Sequence, residues 1–271
     1  MTAQSRTDEV RDADVLLRER RGSVMIATLN RPRKGNSLSH CLIDALDQLA
    51  ADVERGASDT DGLRALVMTG AGEKAFSAGA DVRDLDGIDL TSAREQMRRG
   101  QRVFDRIGHL PVVVIAAING YAVGGGLELA MAADIRVAGR TARFGQPEIT
   151  LANLPGWGGT QRLPRLIGVG RATELILTGD LIGVERAYEC GLVNQVADDP
   201  LTAAVGLAER IAAHSPTAVS GAKRAIHAGL DGGLRAGLVV EADAVATCCE
   251  TREQRAAVRA FLERKASKPP G

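Results

Sequence analysis

The sequence is poor in aromatic residues. Phe, Trp and Tyr make up 3% of its 271 residues, and Trp157 is the single tryptophan. Base-stacking platforms are built from such rings, so nucleic-acid binding of that kind is not expected. Net charge is also missing, because 34 basic residues balance 34 acidic ones. That balance argues against nucleic-acid binding driven by bulk charge and against a polybasic membrane surface. No apolar run reaches the roughly 18 residues that a membrane-spanning helix needs, so no membrane insertion is expected. Cys41, Cys190, Cys248 and Cys249 form neither a CxxC pair nor a zinc spacing. They read as free thiols in a reducing cytosol, which gives a cytoplasmic location. His40, His109, His214 and His227 are isolated and match no metal motif, so no metal site is expected. The phosphate-loop pattern GxxxxGK[ST], a GxGxxG after the first strand and a GxSxG elbow are all absent. Residues 1–13 are polar and charged, unlike a signal peptide, and are expected to form a flexible tail.

What the chain does have is glycine, 31 residues in all, with small residues concentrated in its middle. Gly124, Gly125 and Gly126 run directly into LELAMAA, a strong helix-forming stretch. Glycines at a helix start let a ligand approach the backbone. The free N–H groups of the first turn then face it, with the helix dipole favouring negative charge. Glu128 lies in that first turn, and Glu148 follows twenty residues later in FGQPEI. A second small-residue turn, AFSAGAD at residues 75–81, precedes them. Taken singly, each feature has an ordinary explanation: a tight turn, a dipole partner, a surface carboxylate, a loop with Asp81 as cap. Together they offer amides for a developing anion and two carboxylates for proton transfer.

Apolar periodicity places the rest. Residues 15–19 and 23–29 read as a hairpin, and residues 63–69 and 112–118 as buried strands, with another over 135–138. Leu42, Leu46, Leu49 and Val53 form one stripe of a helix over about 40–55, with Ser39 as its cap. Met97, Val103 and Ile107 share a face of a second helix over about 91–107. Residues 201–265 read as successive helices. Strands alternating with helices predict an α/β fold with parallel pairing, in which ligands collect at strand C-terminal ends. Both small-residue turns follow strands at that end, so Ala80 and Gly125 are candidates to present two amides to one oxygen.

These blocks carry a resemblance. NRPRKGNSLS, AFSAGAD, NGYAVGGGLELAMAADIRVA, FGQPEITLANLPGWGGTQRLPRLIG and the LTGD beyond them are similar, in order and spacing, to the signature blocks of the enoyl-CoA hydratase/isomerase (crotonase) superfamily. The likeness covers roughly residues 15–265 and is closest to the hydratases, because both glutamates are present. It implies a spiral of ββα units over residues 14–200, carrying the active site, and a C-terminal helical trimerisation region over residues 201–271. It also implies assembly as a homotrimer or a dimer of trimers.

In that family Ala80 and Gly125 resemble the two donors to the thioester oxygen of an acyl-CoA, and Glu128 and Glu148 resemble the catalytic pair. Ala78, Asp81, Val82 and Arg83 fall in the block that holds the adenosine part of coenzyme A. Arg33 falls where a Lys near the nucleotide phosphates is frequent. No separate cofactor is implied, since coenzyme A is part of the substrate. The chain departs from the pattern at four positions. Arg33 and Arg83 stand for Lys, Leu127 is bulkier than the usual Cys, and Trp157 replaces a small residue. Either the Trp157 indole reshapes the acyl pocket, or it packs outward or at a subunit contact. The implied activity is hydration of a 2-enoyl-CoA. Double-bond isomerisation, another crotonase-type reaction on a CoA thioester and non-catalytic binding of a CoA ligand are the alternatives.

Overall fold

The computed structural model describes residues 15–56 and 62–266; the tail expected over residues 1–13 lies outside them. The chain opens with β1 (Leu16–Arg21) and β2 (Val24–Leu29), an antiparallel hairpin, then α1 (His40–Gly56). Three turns of a repeating unit follow, each a strand of a large sheet, a short strand of a second sheet and a helix. The first is β3 (Ala65–Gly70), β4 (Ala75–Ser77) and α2 (Leu90–Gly108). The second is β5 (Val113–Ile118), β6 (Tyr121–Val123) and α3 (Gly125–Ala132). The third is β7 (Ile135–Gly139), β8 (Arg143–Gly145) and α4 (Gly159–Ile167), with α5 (Val169–Thr178) behind it. β9 (Leu181–Gly183), α6 (Val184–Glu189) and β10 (Gln195–Ala197) complete the two sheets, ordered β1-β2-β3-β5-β7-β10 and β4-β6-β8-β9.

The two sheets have different sequence signatures. β3 and β5 are buried along their whole length, and their pairing is parallel, as continuous apolar runs require. Their side chains alternate between two cores. Leu66, Met68, Val114 and Ala116 face the helices of the ββα units, while Ala65, Val67, Val113 and Ile115 face the opposite side. The small sheet is made of three-residue strands, and none was expected from the sequence. AFSAGAD, read as loop, begins with one of them. Such segments are too short to show a period and owe their pairing to the larger strands that deliver them.

The helical stripes appear where periodicity put them: Leu42, Leu46, Leu49 and Val53 of α1 and Val103 and Ile107 of α2 are buried. α3 is buried at every position and forms the centre of the molecule. The C-terminal run is α7 (Pro200–Ala212), α8 (Pro216–Gly232), α9 (Leu234–Glu250) and α10 (Arg252–Ala266). The sequence grouped α7 with this helical tail, but α7 lies on the large sheet. Its Ala204, Val205 and Ala208 close the core over Ala65, Val67 and Val113. α8 and α9 form a close hairpin in which a Cβ on Gly237 would stand 2.8 Å from the Cα of Gly229. Lys223 ties α8 to the body, with Nζ 2.8 Å from Asp134 and donating to the Val112 carbonyl at 3.0 Å. His109 and His227, isolated in sequence, meet beside this contact with ring centroids 4.9 Å apart. Among the described residues no group of three His, Cys, Asp or Glu side chains is arranged to hold a metal ion, and no helix is long and apolar enough to cross a membrane.

Candidate active site

Two adjacent turns of the small sheet bring the candidate amides together. Gly79 adopts a φ of +96°, in the region that favours glycine. A Cβ there would stand 2.9 Å from the Val123 carbonyl and 3.2 Å from the Gly125 nitrogen. The next residue, Ala80, forms an isolated parallel bridge with Leu38. That bridge uses the neighbours of Ala80: Leu38 N–H donates to Gly79 O at 2.8 Å and Asp81 N–H to Leu38 O at 3.4 Å. The Ala80 N–H is thereby turned to the other side of the chain. It lies 3.3 Å from where a Gly125 Cβ would stand, and Gly125 is the first residue of α3. Ala80 and Gly125 therefore present backbone N–H groups beside one helix N-terminus, where partial positive charge collects.

The two glutamates occupy the same place. Glu128, 1% exposed, accepts through one oxygen, Oε1, from the amides of Trp157 at 2.8 Å and Gly159 at 2.7 Å. Burial pushes its carboxyl up to about 7; the two amide bonds and the Arg162 guanidinium pull the other way, and the charge of Glu148 adds to the rise. Glu148 sits in a single 3-10 turn, Pro147–Leu151, half-buried and also raised by burial. Gln146, fully buried, donates to both of its oxygens at 2.9 and 3.1 Å when its amide nitrogen faces the carboxylate. Two glycines leave room for the acids. A Cβ on Gly124 would come within 3.1 Å of Glu148 Oε1, and one on Gly159 within 3.0 Å of Glu128 Oε1.

The sequence did not point to Gln146, Gly159 or Arg162. The Arg162 guanidinium, on α4, donates to the Trp157 carbonyl at 2.9 Å and holds the peptide whose amide faces Glu128. The only signal for it in the sequence was GGTQRL continuing the block that contains Trp157.

Trp157 is turned inward and is 3% exposed. One edge of its indole rests on Gly125, where a Cβ would meet Cζ3 at 2.7 Å. The other edge abuts Gly100 of α2, where a Cβ would meet Nε1 at 2.4 Å. Phe104 packs against it edge to face at 5.5 Å between centroids.

The expected nucleotide-binding block is split by its geometry. Ala78 is exposed, and Val82 is 57% exposed at the start of a 3-10 turn. The Arg33 loop folds beside them, because Ala78 N–H donates to Gly35 O at 2.8 Å. Asp81 faces inward, 8% exposed, and is clasped by Arg83 at 2.9 and 2.7 Å. The hydrogen bonds from Arg83 hold its carboxyl down to about 2. Asp81 thus fixes the guanidinium of Arg83 rather than offering its own charge to a ligand.

Two interleaved sheets wound with helices, and a helix N-terminus shared by two loop amides and two carboxylates, define a crotonase-type α/β protein. The chain belongs to the enoyl-CoA hydratase/isomerase family, whose match covers residues 19–269. It is 40% identical to the short-chain-enoyl-CoA hydratase of Clostridium acetobutylicum over 91% of this chain and 94% of that one. It is 38% identical to the crotonyl-CoA hydratase of Syntrophomonas wolfei, covering 92% and 95%. The crystal structure of an enoyl-CoA hydratase from Bacillus anthracis superimposes with a TM-score of 0.86 at 40% identity, over 92% of this chain and 96% of that one.

Proposed function

We propose that this protein is a hydro-lyase that adds water across the 2,3 double bond of a 2-enoyl-CoA. The observation that carries this reading is the presence of two raised carboxyl groups, buried Glu128 and half-buried Glu148, beside the amides of Ala80 and Gly125. Attack of water on the β-carbon drives an electron pair onto the thioester oxygen. Ala80 and Gly125 donate to that oxygen, each worth about 3 kcal/mol by analogy with other oxyanion donors. One carboxylate takes a proton from the attacking water while the other carboxyl group delivers one to the α-carbon. Two acids facing one water have their titrations driven apart, which suits one to hold the proton and the other to receive one. An isomerase needs a single shuttle, so the pair favours hydration.

In this reading Ala78, Val82, Arg83 and Arg33 receive the nucleotide end of coenzyme A, which supplies binding energy remote from the reaction. The test is the ultraviolet absorbance of crotonyl-CoA. The protein is expected to bleach it, and Glu128→Gln or Glu148→Gln to slow the bleaching by orders of magnitude while thioester binding survives. Appearance of the chromophore from a 3-enoyl thioester, without bleaching of the 2-enoyl one, would assign isomerisation instead.

A further inference from the structure

We infer that Trp157 closes the far end of the acyl site and restricts this protein to short acyl groups of crotonyl size. The inference rests on the hydratase reading and specifies its substrate class. The thioester oxygen is taken by Ala80 and Gly125, and the double bond must lie by Glu128 and Glu148. Any further carbons of the acyl chain leave that point away from the coenzyme A side, which Val82 and Arg83 occupy. Trp157 adjoins two of the groups that define that point, Gly125 and Glu128. Its backbone N–H holds Glu128, and its ring lies on the Cα of Gly125. From there it reaches across to Gly100 and Phe104 of α2, filling the gap between α3 and α2.

The fit is made by what faces the ring. A methyl group on Gly100 or on Gly125 would overlap it, at 2.4 and 2.7 Å. The 155–158 loop is also pinned from α2, since Gln101 donates to the Gly156 carbonyl at 2.8 Å. The indole N–H is buried and finds no acceptor among the described residues. No hydrogen bond therefore holds the ring; volume and shape hold it. Trp157 is in these terms a specificity-determining residue, and a phenyl ring should preserve most of its effect where a methyl group should not.

The experiment compares crotonyl-CoA with 2-octenoyl-CoA as substrates of the parent, Trp157→Phe and Trp157→Ala. The parent is expected to prefer crotonyl-CoA, and Trp157→Phe to keep that order. Trp157→Ala should raise the octenoyl-to-crotonyl ratio of kcat/KM by about ten- to a hundredfold, the range one pocket wall commands. A parent that hydrates both equally well, or a ratio unmoved in Trp157→Ala, overturns the inference and leaves the hydratase reading standing. A parent that hydrates neither sinks that reading. The inference is then decided by the emission of the parent's single tryptophan, titrated with the saturated thioesters butyryl-CoA and octanoyl-CoA. Tighter binding of butyryl-CoA with a change in emission supports it; equal or tighter binding of octanoyl-CoA, or unchanged emission, refutes it. The same titration serves if Trp157→Ala fails to fold.

Discussion

Glu128 takes the Gly159 amide at 2.7 Å on the same oxygen that receives the Trp157 amide. The loop after the Glu148 turn thereby becomes the seat of the other acid, and the second oxygen of Glu128 is left for a proton or a water molecule. The seat favours a charged carboxylate, yet the surroundings are apolar enough that burial outweighs the two bonds.

That balance has a sign that can be measured. Glu128 rises from an ordinary 4.5 to about 7 in the folded protein. Between those values the fold holds a proton that the unfolded chain has released, so stability falls as pH rises across the window and the full penalty applies above it. Glu128→Gln should therefore stabilise the protein at pH 8 by about 2–4 kcal/mol. At pH 4 the gain should vanish. Urea unfolding of parent and variant at the two pH values checks this, and a variant less stable than the parent at pH 8 would show that the carboxylate is well solvated or paired.

A side chain on Gly125 would collide with the indole at 2.7 Å and crowd the Ala80 nitrogen at 3.3 Å. Gly125→Ala must push the ring aside or spread the two amides. The expected result is a fall in kcat of about a hundredfold, the scale of losing one oxyanion donor. Overpacking should also cost about 1–3 kcal/mol in unfolding. Steady-state kinetics with crotonyl-CoA and thermal unfolding read the two effects; parent-like kcat would mean that the thioester oxygen lies elsewhere.

The C-terminal helices leave apolar side chains in water. Ile226, Leu230, Leu234, Leu238 and Val245 are each more than half exposed along α8 and α9, and the groove between these helices measures about 640 Å³. Contiguous surface of this kind marks an interface. We expect a trimer or a dimer of trimers in sedimentation at micromolar concentration, and dispersal of it by Leu238→Lys. A stable monomer of the parent would remove the case for assembly through these helices.

How much of this could be read beforehand depended on the range of the interactions. The stripe of α1 and the apolar runs of β3 and β5 are local patterns, and they appear where expected. Glu128 stood out because its glycines and its helix are contiguous with it. The four strands of the small sheet were invisible, since three residues carry no period. Gln146 and Arg162 were missed because nothing in their own neighbourhood marks them. One is defined by the carboxylate it serves, the other by a carbonyl on a preceding turn. Trp157 was conspicuous, but the way its ring is held is set by distant residues, among them Gly100, 57 positions earlier on a helix that reads as mostly polar.

β4 and β6 are parallel neighbours in which Ser77 is aligned with Ala122. Ala80 and Gly125 each lie three positions further on, past Gly79 and Gly124, whose φ of +96° and +54° turn both chains out of the ladder. The two adjacent strands, about 4.8 Å apart, thereby deliver both turns to one place. The placement comes from backbone pairing, and a side chain bears on it only where it would crowd Gly125.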